Sequence, residues 1–151
     1  MTPRWFALGL AGASVACGDG TGPDLTLANL AGIWTATEIS VTNNLEPDLT
    51  EDLFAEGVRF QITIEGDGAY AVEFSNPLGS DGYDGSLTVE GDSLILLRSD
   101  VPGERTGVHA RFESDQLALT WLGTEQCGSY GWHAPTCPIP ATFSLTLARE
   151  P

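Results

Sequence analysis

At 151 residues the chain has room for one domain around a single core and not for two. Hydrophobic residues make up 42% and aromatic ones 9%, which supplies a core and rules out wholesale disorder despite 18 glycines. A formal net charge of −15, from 21 acidic residues against six arginines and no lysine, repels phosphate backbones and anionic headgroups, so it argues against nucleic-acid binding and polybasic membrane docking.

The N-terminus reads as a targeting segment. Arg4 supplies a minimal positive start, residues 5–16 are an apolar and small-residue run, and Cys17 opens the polar stretch Gly18-Asp19-Gly20-Thr21-Gly22-Pro23-Asp24. Spanning a bilayer takes roughly 20 apolar residues, so this run is a signal peptide over 1–16 rather than a membrane helix. Ser14-Val15-Ala16-Cys17 resembles the bacterial lipobox, in which small residues precede a cysteine that is acylated and becomes N-terminal; Ser14 stands where that motif usually has leucine. The resemblance implies a lipoprotein. Acyl chains on Cys17, at about 0.8 kcal/mol per buried CH₂, would anchor it outside the cytoplasm, in the periplasm or at the cell surface. The plain alternative is a secreted protein cleaved near Ala16 with a spare thiol. Residues 17–29 are too polar and turn-prone to pack and are expected to form a flexible tether, with the domain running over 30–151. Three cysteines is an odd count that acylation of Cys17 resolves. Cys127 and Cys137 are then left as a pair, and a disulfide closing so short a loop would stabilise by about 2–3 kcal/mol.

Beyond Leu30, short segments of period-two alternation separated by Gly and Asp turns predict strands over 32–42, 58–65, 69–75, 84–90, 93–99, 107–113, 116–122 and 141–149. In the first, Ile33, Ile39 and Val41 fall on one face and Trp34 and Ala36 on the other, which predicts cover on both faces. Asp48-Leu49-Thr50-Glu51 has a capping-box pattern, Leu49, Leu53 and Phe54 share a helical face, and Gly57 can end the turn, so a short helix near 48–56 is expected to cap one end. Val58, Phe60, Ile62 and Ile64 share the inward face of the next strand. Gly66-Asp67-Gly68 then turns the chain into Tyr70, Val72 and Phe74. Gly91-Asp92 and Ser114-Asp115 make two further hairpins. Eight strands with short connections predict an all-β, antiparallel up-and-down barrel, whose closure removes exposed edges; an open sandwich is the alternative.

Leu30-Ala31-Gly32-Ile33-Trp34 resembles the Gly-x-Trp opening of lipocalins and related calycin barrels, and with the meander behind it the chain is similar to a bacterial lipocalin-like lipoprotein. That resemblance implies that Trp34, after Gly32, plugs the closed end and that Arg149 lies across it in a cation–π contact of about 0.5–2 kcal/mol. No stretch matches the Thr-Asp-Tyr element that many lipocalins carry.

The segment 127–137 is the most distinctive loop, and Tyr130, Trp132 and His133 are its candidate contacts to a partner or ligand; the bland reading is a loop packed on itself. Cys127, His133 and Cys137 lack a fourth ligand in any zinc spacing, and Asp81 and Asp84 beside Gly82 and Gly85 read as turn chemistry rather than calcium ligands, so no metal and no cofactor is assigned. His109 falls on an outward face and Ser129 lies in no nucleophile elbow, so no catalytic residue is assigned and a hydrolase trails the other readings. Two non-enzymatic functions remain. One holds a small apolar ligand in the barrel. The other is a structural accessory subunit packing on the extracytoplasmic side of a larger membrane protein complex. The inward aromatics Phe60, Tyr70, Phe74, Phe112, Trp121 and Phe143 are expected to fill an eight-stranded interior, leaving contacts to the loop outside.

Overall fold

Alternating apolar residues do build strands through most of the chain, and the computed structural model describes residues 24–113, 115–132 and 137–151. One short helix, α1 (Leu27–Leu30), precedes β1 (Gly32–Asn43), β2 (Thr50–Asp52), β3 (Arg59–Ile64), β4 (Ala69–Asn76), β5 (Gly79–Glu90), β6 (Ser93–Arg98), β7 (Arg105–Glu113), β8 (Gln116–Glu125) and β9 (Ile139–Arg149). From β3 onward each strand pairs antiparallel with the next, and β1 pairs with both β3 and β9, which closes an eight-stranded barrel. β2 is an extra strand laid on β1. The inward alternation read from β3 is seen in the buried Ile62 and Ile64, and the same rows continue through Tyr70, Val72, Leu87, Leu94, Val108, Leu117, Leu119, Leu145 and Leu147.

Three expectations are corrected. No helix forms near 48–56. Thr50–Asp52 pairs with Ser40–Thr42 instead, the Leu53 N–H donates to the Ile39 carbonyl at 2.9 Å, and Leu53 is buried. An isolated helix of two turns is marginal, whereas pairing with β1 satisfies the same backbone groups and buries the leucine. The domain also begins before residue 30. Thr26 caps α1 by accepting the Asn29 N–H, Leu30 is fully buried, and Leu25 and Leu27 pack on the core, so the segment from Asp24 onward is folded rather than tether. Finally, β1 is not covered on both faces. Its register against β9 shifts between Ala36 and Glu38, so Trp34 and Ala36 point inward before the irregularity and Ile39, Val41 and Asn43 after it. A one-residue bulge switches the parity of a strand, which is why the sequence pattern blurs there while Ile33 stays 40% exposed.

β5 starts five positions earlier than the alternation suggested. Residues 79–83 carry glycine and aspartate where a strand favours branched residues, yet they pair with β4 in full register. The Asn76 side chain makes the tight turn by accepting N–H bonds from Leu78 and Gly79 at 2.8 and 3.1 Å.

Candidate functional site

The two ends of the barrel differ. At one end Trp34 is fully buried, its indole N–H donates to the Leu30 carbonyl at 2.7 Å, and its ring meets Phe112 edge-on at 5.7 Å. Arg149, the register partner of Trp34, stacks its guanidinium 4.5 Å from the indole centroid and donates to the carbonyls of Ala31, at 3.1 Å, and Asn29. Its side chain crosses Gly32, whose φ of +142° a side chain there would strain. Gly32, Trp34 and Arg149 are thus brought together. The cation is committed to rings and carbonyls, so this end is a plug rather than a site.

The 127–137 loop is pinned by a disulfide between Cys127 and Cys137, with Cα atoms 5.6 Å apart. Trp132 does not project from it. Only 2% of Trp132 is exposed, it belongs to the buried core, and Tyr130 packs on it edge-on at 5.4 Å. A large apolar ring next to a barrel end gains more by burial than by standing in water, so Trp132 is a core residue and not the exposed contact expected of it. Tyr130 stays 36% exposed, and burial together with Glu125, Glu56 and Glu51 pushes its phenol above the ordinary value. His133 and Cys17 lie outside the described residues.

The second end is hollow. A cavity of about 230 Å³ is lined by Phe60, Tyr70, Tyr83 and Trp121 over an aliphatic floor that includes Ile64 and Leu117, and it reaches the surface beside Arg98 and the exposed Glu104. The expectation of a filled interior is corrected here. Phe112 belongs to the plug, while Phe60, Tyr70 and Trp121 are walls. Room remains for two local reasons. Gly85, between the inward Tyr83 and Leu87 on β5, contributes no side chain, and the Tyr70 ring lies over it. Trp121 is drawn flat against Phe143, with centroids 5.3 Å apart and planes 11° from parallel, while Phe143 itself occupies the space beside Gly123.

The polar groups at this end form a small set. Tyr70, Gly85 and Arg98 lie in one row across β4, β5 and β6. Arg98 stacks 4.3 Å from the Tyr83 centroid and gives Nε and Nη2 to the Asp100 carboxylate at 2.9 and 2.6 Å, which holds Asp100 below the usual carboxylate range. The Tyr70 hydroxyl is buried and has no hydrogen-bond partner among the described residues. Burial first, then the neighbouring Tyr83, pushes its pKa from 10.0 up to about 12, with Arg98 pulling the other way. Below pH 10 the phenol is neutral in both folded and unfolded chains. From there to about pH 12 only the unfolded chain ionises, so stability should fall as pH rises through that window. Urea midpoints measured from pH 9 to 12 should show the decline, and Tyr70→Phe should flatten it in part, the remainder belonging to Tyr83, whose phenol burial also raises.

Tyr83, Arg98, Glu104 and Thr106 line the cavity without having been singled out in the sequence. Arg98 was findable, because Leu94, Leu96 and Arg98 share the inward parity of β6 and a charge on that face calls for a reason. Elsewhere, His109 is exposed on β7 with Nδ1 3.2 Å from Asp92, and among the described residues no group of three or more His, Cys, Asp or Glu could hold a metal ion. A wider and more open groove of about 680 Å³ is lined by Phe60 and Phe74 together with Arg59, Gln61, Glu73 and Asp81.

Against known proteins, no family model matches the chain, and no curated protein and no solved structure matches it. Fold and cavity together define a class: a closed antiparallel barrel of eight strands, compatible with lipocalin-like architecture, plugged at one end by Trp34 and hollow at the other.

Proposed function

We propose that this protein is a non-enzymatic binding module that holds a small apolar ligand in the hollow end of its barrel, with an acylated Cys17 tying it to the extracytoplasmic side of a bacterial membrane. The observation that carries the ligand reading is the aromatic and aliphatic cavity on the barrel axis. Concave, mostly apolar sites with a few convergent polar groups are the usual small-molecule sites. At about 230 Å³ it sits just under the roughly 300–1,000 Å³ of drug-sized pockets, which points to a short chain or a single ring. The anchor rests on the lipobox-like residues 14–17. For the accessory-subunit reading, Trp132 is buried and Tyr130 remains 36% exposed.

Protein isolated from its native membrane should lack residues 1–16, carry acyl mass on Cys17, and release a small apolar molecule on organic extraction. The tether-free domain should bind 1-octene saturably with a negative heat-capacity change. An unmodified Cys17 in soluble material would sink the anchor. An empty extract together with no saturable 1-octene binding would sink the ligand reading.

A further inference from the structure

The polar corner of the cavity says what kind of small molecule fits. The Tyr70 hydroxyl is a buried donor without a partner among the described residues, and a buried phenol left unpaired is costly. Its raised pKa keeps the proton on oxygen throughout the physiological range, so it remains a donor. Arg98, the cation lining the cavity, is already neutralised by two hydrogen bonds to Asp100 and covers the Tyr83 face. The Glu104 carboxylate stands at the same rim, so the local charge is negative, within a chain of net charge −15.

A carboxylate ligand would have to compete with Asp100 for Arg98, giving up one two-point ion pair to make another, and would leave its charge beside the rim Glu104. An uncharged acceptor oxygen has neither problem. We propose that the cavity selects an uncharged ligand bearing a hydrogen-bond-acceptor oxygen, a ketone, aldehyde or ester, which Tyr70 holds by its hydroxyl, and that it turns away the matching carboxylates. This rests on the ligand reading above.

Three eight-carbon compounds separate the two ideas: 1-octene, 2-octanone and octanoate, each titrated calorimetrically at pH 7 against the whole folded domain and against Tyr70→Phe. The native domain should bind 2-octanone at least about tenfold tighter than octanoate, the ratio set by the competition with Asp100 and the like charge of Glu104. Tyr70→Phe should weaken 2-octanone by about the same factor and leave 1-octene unchanged. That variant removes an unpaired hydroxyl without changing the ring, so its thermal midpoint should hold or rise, which guards against a folding artefact. Octanoate binding as tightly as 2-octanone in the native domain would overturn the proposal. So would a 2-octanone affinity indifferent to Tyr70→Phe, even where 1-octene binds and the ligand reading stands. Failure of all three compounds to bind would overturn both.

Discussion

Trp34→Ala should be the most damaging single truncation in the barrel, costing about 3–5 kcal/mol, and the same change at Phe60 should cost less than half as much. The contrast follows from where each ring sits. Trp34 is fully buried, is fixed by its hydrogen bond to Leu30, and is packed between Phe112 and Arg149. Its removal leaves a closed void that β-strands tied into a barrel cannot collapse, and it strips the aromatic face from a part-buried guanidinium whose buried Nε already lacks a partner among the described residues. Phe60 borders the existing cavity and is only half-buried, so truncating it enlarges a space that solvent or ligand can fill. Domains of this size are stable by about 5–15 kcal/mol in total, so loss of the plug leaves a marginal fold while the wall mutant stays folded with altered 1-octene affinity. Urea unfolding of both variants, with equal m-values, reads the difference. Equal costs at the two positions would mean that the open end is as tightly packed as the plug, and the cavity account would fail with it.

The eight barrel strands were legible because each has one face in water and one in the core, so alternation carries the signal, as Phe60, Ile62 and Ile64 show in β3. What defeated the reading were features decided by tertiary pairing. The β1 irregularity after Ala36 swaps the parity of a strand and looks, one residue at a time, like a strand apolar on both sides. β2 has only three residues and exists because β1 offers it a ladder, so local propensity pointed to a helix instead. Leu25, Leu27 and Leu30 were hidden among Gly, Asp, Thr and Pro, although together they seat α1 against the hairpin at Gly68. The cavity was the hardest. Alternation says which side chains point inward and not how much volume they leave, and at the open end that volume depends on Gly85, which the predicted strand 84–90 contains without showing what packs over it.

Gly85 is therefore where the second large effect is expected. A Cβ built there would lie 2.0 Å from the Leu97 carbonyl oxygen and 2.9 Å from Tyr70 Cε1. The carbonyl belongs to the adjoining strand β6 and cannot swing away without prying β5 and β6 apart, so Gly85→Ala should cost at least about 1–3 kcal/mol, the usual penalty for overpacking, and Gly85→Val more. Relief on the other side requires the Tyr70 ring to move into the cavity, so the variant should also lose 1-octene and 2-octanone binding. Gly107 supplies the control. It lies in β7 of the same barrel, but a Cβ there meets only Ile95 Cδ1 at 3.8 Å, an ordinary contact. Gly107→Ala should stay within about 0.5 kcal/mol of the native domain or stabilise it slightly, since glycine weakens a strand interior. Denaturant midpoints and calorimetric titrations of the two variants side by side test both halves of the argument. If Gly85→Ala proves as benign as Gly107→Ala, the close approach of β6 and Tyr70 is not what shapes the open end, and the volume of the cavity must be held by Trp121 and Phe143 instead.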